Sequence, residues 1–235
     1  IPFDISKKKP LPAIHALDPA QWLIIDEAYA AQMAERDKLI TENRSAVIAL
    51  HDGALKAAIE LLDFALDFLP RLAGFTRENG QVICPDGRCV KLKRSDPLAT
   101  VGRIFQDDFC IMQKWGNEYV LTGAVLCFPA SWCLSEKFLL PLTTIHHTVP
   151  QYNNNISKRV QRLFDGIKPN RPLWRFNALY YDQPELFQPC SHNNPRAVLN
   201  EDQGDFIRSE RQTLLRLPET YAVVFSIHTF VIKNK

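Results

Sequence analysis

The chain has 235 residues, of which 46% are hydrophobic and 23% are charged. That composition predicts a globular protein with a sizeable core, and the length suits one large domain or two small ones. The 28 basic and 26 acidic residues leave a net charge of +2, which argues against a nucleic-acid surface built on bulk charge, and no apolar run approaches the roughly 18 to 20 residues of a membrane span.

The six cysteines occur without a CxxC pair or any spacing typical of a zinc site. A chain of this length does not need disulfide cross-links, so we expect reduced thiols and a cytoplasmic protein. The motifs of several common enzyme classes are also missing from the sequence: the glycine-rich nucleotide loops, the GxSxG of hydrolases and the HExxH of zinc proteases.

The first 75 residues predict a helical region that packs on the rest of the chain. Residues 26–40 are rich in helix formers and charged on one side. Residues 53–70 carry apolar side chains at nearly every helical core position, with Asp52 as a candidate N-cap and Pro70 as the end of the helix.

Over residues 76–235 the pattern changes to strands, and we predict this region to be the functional core. Residues 81–92 predict a hairpin that turns at Pro-Asp-Gly, and the Asp96-Pro97 pair predicts a helix start. Residues 108–129 predict two strands with a turn at Gly116-Asn117 between them.

The remainder of the chain predicts two helical stretches and three strands. Residues 135–147 form a broken helix, with Ser135 as candidate cap and Pro141 as the break, and residues 155–167 show helical spacing. The strands are predicted at 171–181, 206–218 and 221–232. The predicted fold class is therefore α+β: an antiparallel sheet with helices on one face, preceded by a helical N-terminal region.

Two of these strands carry polar side chains that alternate between the faces of the sheet. Arg175 and Asn177 share one face of the first strand. Arg208 and Glu210 share one face of the second strand, and Arg211 lies on its other face. Such patterns are common on solvated sheets and in cross-strand ion pairs. The functional alternative is a pocket in which a buried arginine faces a carboxylate, a haem propionate or an oxygen species.

Two adjacent histidines, His146 and His147, follow the broken helix. Neighbouring side chains on a helix point about 100° apart, so at most one of the two can bind a given metal ion. The alternative is an exposed pair favoured by the helix dipole. Arg162 belongs to a basic cluster on the next helix, which is either a solvated face or a clamp for an anion. From the residues alone, no reaction follows.

Six segments in a fixed order carry a family resemblance. The N-terminal one is DPAQWLIIDEAYAAQMAERDKLI. The others, between Phe105 and Val231, are FQDDFCIMQ, LTGAVLCFPASWCLSEKFLLPLTTIHHTVPQY, RVQRLFDGI, RPLWRFNALYYDQPELFQP and RSERQTLLRLPETYAVVFSIHTFV. Each is a weak signal alone, but together they resemble the haem-dependent oxidative N-demethylases, whose known activity is dimethylamine monooxygenation by the α subunit.

The resemblance implies a PAS-like core that binds haem b through one histidine, with O₂ as the co-substrate. It also implies electrons from NADPH, delivered by a separate reductase that carries flavin and iron–sulfur groups. A small secondary amine such as dimethylamine would be oxidised at a methyl group and release formaldehyde.

The family pattern also implies roles for particular residues. His146 stands at the histidine of PLxxIHxxVP and is the implied axial ligand of the iron, whereas His147 replaces a small residue and receives no role. Arg175 and Asn177 match the RxN pair of the family, and either is an implied candidate for the donor to O₂. Ala178 stands where an aromatic residue is usual.

The RxERQTL pattern supplies a second set of implied site residues. Arg211 is the third candidate for this donor, unless one of these arginines pairs with a haem propionate instead, a role also implied for Arg208 and Arg162. Glu210 would accept the N–H of the amine or take its proton. The apolar residues expected to line such a site are Phe225, Phe230 and Leu121.

Two other functions fit the same resemblance: a haem-binding sensor of PAS type that signals to a partner, and a haem-free PAS-like binding module. The sequence shows no output domain or coiled-coil linker, which favours the enzyme. The departures from the family pattern at His147 and Ala178 keep the haem-free module open.

Overall fold

The computed structural model describes the following parts of the chain: residues 1–4, 13–145, 154–191 and 198–234. The N-terminal region is helical, as the sequence predicts. Its three helices are α1 (Tyr29–Glu42), α2 (Arg44–Val47) and α3 (Leu55–Phe68). Its two short strands, which the sequence pattern does not indicate, are β1 (His15–Ala16) and β2 (Ile48–Leu50).

The start of α3 differs from the prediction. A short 3-10 turn at Asp52–Ala54 precedes the helix, and its N-cap is His51, whose Nδ1 accepts a hydrogen bond from the Gly53 N–H at 3.1 Å. The predicted Asp52 cap is therefore wrong. Asp52 instead lies in the first turn, where the helix dipole favours a negative charge.

A small antiparallel sheet and one helix connect the N-terminal region to the core. The strands of this sheet are β3 (Thr76–Glu78), β4 (Gln81–Ile83) and β5 (Cys89–Lys91). The pairing of β4 with β5 confirms the predicted hairpin. Helix α4 (Pro97–Ile104) begins after Asp96, which confirms the predicted helix start.

A seven-stranded antiparallel sheet forms the centre of the protein. Its long strands are β6 (Asp108–Trp115), β7 (Glu118–Val125), β8 (Leu173–Tyr181), β9 (Phe206–Arg216) and β10 (Val223–Lys233). The spatial order of the sheet is β1-β8-β9-β10-β6-β7-β2, so β6 and β10, the first and last long strands, lie side by side. The turn between β6 and β7 is at Gly116, as predicted.

The second half of the chain also supplies three helices: α5 (Leu134–Lys137), α6 (Leu142–Ile145) and α7 (Asn154–Gly166). Helices α5 and α6 are the two parts of the predicted broken helix, on either side of Pro141. The predicted cap at Ser135 is wrong, because α5 begins after Cys133 and has no side-chain capping hydrogen bond. His146 and His147 lie outside the described residues.

Apolar cores cover both faces of the large sheet. The first core lies between the sheet and the N-terminal helices and includes Trp22, Met33, Leu61, Phe109 and Val224. The second core lies on the opposite face, under α5, α6 and α7, and includes Met112, Leu134, Leu142, Phe164 and Ile227. The predicted α+β fold class is confirmed.

The helices of the described residues are short, and the longest have 14 residues. None of them is long and apolar enough to cross a bilayer.

A buried ion pair ties the N-terminal helices to the sheet. Arg36 of α1 is fully buried, and its guanidinium lies 2.7 Å from the Asp108 carboxylate. That carboxylate also accepts the backbone N–H groups of Cys127 and Phe128, at 2.7 and 2.8 Å. Arg36 donates in addition to three backbone carbonyls. Both charges thus have several partners, which compensates for their removal from water.

A second cluster of buried charges includes Asp107, the residue before Asp108 in the chain. His228 of β10 is buried, with Nε2 at 3.1 Å from the Asp26 carboxylate and Nδ1 at 3.4 Å from the Asp107 carboxylate. Burial lowers the pKa of His228, but the hydrogen bonds to the two carboxylates outweigh burial and raise the pKa to about 9. His228 is therefore an imidazolium at neutral pH, and it joins the segment before α1 to the sheet.

Candidate functional site

Strand pairing places most of the predicted site residues on one face of the sheet, because residues opposite each other share a face. Asn177 of β8 lies opposite Glu210 of β9. Glu210 lies in turn opposite Thr229 of β10. Two residues further along the same two strands, Arg175 of β8 lies opposite Gln212 of β9. We call this surface the polar face and define it by Arg175, Asn177, Arg208, Glu210, Gln212 and Thr229.

Two side-chain amides fix the carboxylate of Glu210, which is only 6% exposed. Its Oε2 accepts hydrogen bonds from Asn177 Nδ2 at 3.0 Å and from Gln212 Nε2 at 2.9 Å. Its Oε1 lies 3.9 Å from Arg208 Nε, which is too far for a hydrogen bond. The carboxylate is therefore held in one orientation by contacts that use only one of its two oxygens.

Arg208 is 2% exposed and lies at the end of the polar face. Its Nη1 donates to the Leu186 carbonyl at 2.9 Å, and its Nη2 donates to the Phe128 carbonyl at 2.6 Å. Its Nε has no hydrogen-bond partner among the described residues. Arg208 can therefore offer one N–H group and its positive charge to a ligand.

Other buried polar groups on this side of the sheet also lack a hydrogen-bond partner among the described residues. They are the Nε of Arg175, the hydroxyl of Thr229 and the side-chain amide of Gln161 on α7. Burial lowers the pKa of Arg175, an effect that the Glu210 carboxylate opposes. Buried polar groups in proteins are nearly always paired, so the unpaired groups of Arg175, Arg208 and Thr229 on one face of the sheet indicate a place for a ligand.

Arg211 lies on the opposite face of the sheet. Its guanidinium donates to the backbone carbonyls of Gln21 and Trp22, and its neighbour on β10 is His228. The structure therefore does not bring Arg211 together with Glu210. Its contacts attach the segment before α1 to the sheet.

The apolar residues expected to line the site divide between the two faces. Leu121 and Phe225 belong to the core on the side of the polar face. Phe230 lies on the other face, where its ring centroid is 4.7 Å from that of His228. Arg162 is exposed on α7, the helix that covers the polar side of the sheet.

Three histidines fall within the described residues: His15, His51 and His228. Both ring nitrogens of His228 face carboxylates, and Nδ1 of His51 accepts a backbone N–H. His15 is exposed on the edge strand β1. His146, the predicted iron ligand, lies outside the described residues and stays a prediction. Within the described ranges, no group of three or more His, Cys, Asp or Glu side chains could hold a metal ion.

Comparison with known protein families matches residues 13–235 to the haem-dependent oxidative N-demethylase, alpha subunit-like family. The chain belongs to this family. The match includes the N-terminal helices as well as the sheet. The family description indicates an oxidative N-demethylase-like enzyme that depends on haem, and the alpha-subunit designation indicates partner subunits.

The polar face of this N-demethylase-like chain suits a haem group. Haem combines a large apolar ring with two carboxylates. The Nε–H groups of Arg175 and Arg208, which have no hydrogen-bond partner in the part of the chain that the structure describes, are suitable donors for carboxylates. The apolar residues on the same side of the sheet include Leu121, Phe225 and Ile227. N–H groups that can bind carboxylates and apolar side chains that can contact the ring thus occur on the same side of the sheet.

An open cavity of about 250 Å³ lies away from this face in the N-demethylase-like chain. Its lining includes Trp22, Phe64, Phe68, Pro172 and Leu215. No residue of the polar face lines it, and its volume is below the roughly 300 to 1,000 Å³ of typical small-molecule sites. We therefore do not place the haem in this cavity.

Thr229 is a candidate site residue that the sequence pattern does not indicate. Thr229 could have been found once β9 was paired with β10, because the register puts it opposite Glu210.

Proposed function

We propose that the chain is the haem-binding subunit of a monooxygenase that demethylates a small secondary amine such as dimethylamine. The supporting observation is the buried Glu210 carboxylate in a chain of the N-demethylase-like family. Two amides fix this carboxylate, and the arginine Nε–H groups beside it have no partner within the described ranges. In the balanced reaction, dimethylamine, O₂, two electrons and two protons yield methylamine, formaldehyde and water.

Haem b, when bound, supplies the activation of O₂. His146 is the proposed protein ligand of the iron, and Arg208 and Arg162 are the proposed partners of the propionates. Arg208 is held in place by two carbonyls and keeps its Nε–H for such a contact. Arg162 is exposed, so its contact would lie at the rim of the site.

Glu210 is the proposed residue that binds the amine. Asn177 and Gln212 both donate to Oε2, so Oε1 is the oxygen placed to accept an N–H of the amine or to take its proton. Loss of that proton leaves the neutral amine, whose methyl group is easier to oxidise than that of the ammonium ion.

Arg175 is the proposed donor toward O₂. Its Nε–H is buried without a partner among the described residues, whereas the Asn177 amide already donates to Glu210. Asn177 is therefore better described as a positioning residue for the carboxylate. Arg211, the third donor implied by the resemblance, lies on the other face, and we propose that it acts only by holding the N-terminal segment.

Electrons are proposed to come from NADPH through a partner reductase with flavin and iron–sulfur groups, in keeping with the alpha-subunit description of the family. A cytoplasmic location fits the thiol state of the six cysteines. We also propose the division into an N-terminal region, 1–75, and a haem-binding core, 76–235, because all the site residues fall in the latter.

The experiment that tests this function measures turnover by the haem-loaded protein. The protein is supplied with dimethylamine, O₂ and electrons from NADPH through a purified ferredoxin reductase and ferredoxin. We expect equal amounts of formaldehyde and methylamine, with one O₂ consumed for each formaldehyde. Haem binding without formaldehyde from any small amine would support the sensor instead. Failure to bind haem would support the haem-free binding module.

A further inference from the structure

Thr229 of β10 carries a buried hydroxyl. The residue is 1% exposed, and its Oγ1 has no hydrogen-bond partner among the described residues. An unpaired buried hydroxyl destabilises a folded protein, whereas a valine of the same shape would avoid that cost. Folding alone therefore does not explain a threonine at this position.

The surroundings of Thr229 indicate which kind of group would complete its hydrogen bonding. Its neighbour across the strands is Glu210, whose carboxylate is held by two side-chain amides. The unpartnered Nε atoms of Arg175 and Arg208 are donors, not acceptors. Two arginines and one carboxylate leave the polar face with a surplus positive charge. The missing partner is therefore an acceptor that carries negative charge.

We propose that the Thr229 hydroxyl and the Arg208 Nε–H, which belong to diagonal neighbours on β10 and β9, together bind a carboxylate of the ligand that occupies the polar face. Under the proposed function this carboxylate is a haem propionate, and a free carboxylate such as formate has the same chemistry. The identity of this carboxylate as a haem propionate rests on the proposed function. The presence of the donors that would bind it does not.

The isosteric variant Thr229→Val removes the hydroxyl, and Thr229→Ser, which keeps it, is the matched control. We expect Thr229→Val to raise the Tm of the haem-free protein, because an unpaired buried hydroxyl is lost. The same variant should bind haem about tenfold more weakly, since a hydrogen bond to a charged group is lost. Thr229→Ser should bind haem like the wild type.

Haem dimethyl ester, whose propionates are esterified, identifies the source of the carboxylate. Thr229→Val and the wild type should bind the ester equally, and an equal loss of affinity for haem and ester would overturn the propionate contact. A parallel titration of the haem-free protein with formate, followed by Tm, tests the free carboxylate. A lower Tm in Thr229→Val, or unchanged affinity for both haem and formate, overturns the inference. Wild-type protein that takes up no haem contradicts the proposed function, and the formate titration then decides the inference alone.

Discussion

Asn177 and Glu210 face each other across β8 and β9 and exchange two hydrogen bonds, each 3.0 Å long. The Asn177 side chain donates to the Glu210 carboxylate and accepts the Glu210 backbone N–H. This double contact fixes the carboxylate relative to the strand that carries it. The position of an amine bound to Glu210 would therefore depend on Asn177 as well.

Replacing Glu210 with glutamine should remove most of the turnover. Glutamine keeps the size of the side chain but cannot take a proton, so we expect formaldehyde formation to fall about 100-fold or more, with the haem spectrum retained. The matched control is Glu27→Gln, which changes an exposed carboxylate of the N-terminal region and should have no effect. Wild-type turnover in Glu210→Gln would exclude Glu210 from proton transfer.

Arg211 and Arg175 lie on opposite faces of the sheet, and their methionine variants should therefore behave differently. Arg211→Met loses two donations to backbone carbonyls, so the free energy of unfolding should fall by roughly 2 to 3 kcal/mol, with haem affinity unchanged. Arg175→Met should weaken O₂ binding by the reduced, haem-loaded protein and cost less stability. Urea denaturation, haem titration and O₂ titration measure these effects. Weaker haem binding by Arg211→Met at unchanged stability would contradict the assignment of faces.

The Arg36–Asp108 pair should contribute far more to stability than a surface pair. Arg36→Met leaves a buried carboxylate without its counter-ion, so we expect the free energy of unfolding to fall by about 3 to 5 kcal/mol. Arg44→Met breaks the surface pair between Arg44 and Asp96, whose side chains are 48% and 34% exposed, respectively. This loss should lower the free energy of unfolding by less than about 1 kcal/mol. Equal losses in the two variants, measured by urea denaturation, would refute this ranking.

The charge on His228 makes stability depend on pH. Its pKa is raised to about 9 in the folded protein, above the unfolded value of about 6.5. Its contribution is therefore fully present below about pH 6.5 and is lost as pH rises through about 9.

We expect the free energy of unfolding to fall by about 1.4 kcal/mol per pH unit across that window, or roughly 3 kcal/mol in total. Denaturation at several pH values measures the slope. The variant Asp26→Asn removes one of the two carboxylates that contact His228, so its decline should end at a lower pH. A flat profile for the wild type would contradict the assigned charge.

The long strands of the core could be predicted because polar and apolar residues alternate along them. The same alternation puts Arg175 and Asn177 on one face of β8. It puts Glu210 and Arg211 on different faces of β9. The short strands β1 and β2 could not be predicted, since two or three residues carry too little pattern and their pairing partners are distant in the chain.

The contacts that complete the site and the fold depend on tertiary packing and have no local signal. Arg36 and Asp108 meet across two elements far apart in sequence, as do His228 and Asp26. Thr229 resembles any threonine of a strand, and only its burial without a partner distinguishes it. For these residues, the sequence identifies the chemical group of the side chain but not the residues that contact it.

The absorption spectrum of the haem-reconstituted protein tests most directly whether this chain binds haem through His146. The wild type and His147→Ala should both show the Soret band of protein-bound haem. His146→Ala should lose that band, with the formaldehyde-forming activity lost at the same time. A wild-type spectrum in His146→Ala would contradict the account.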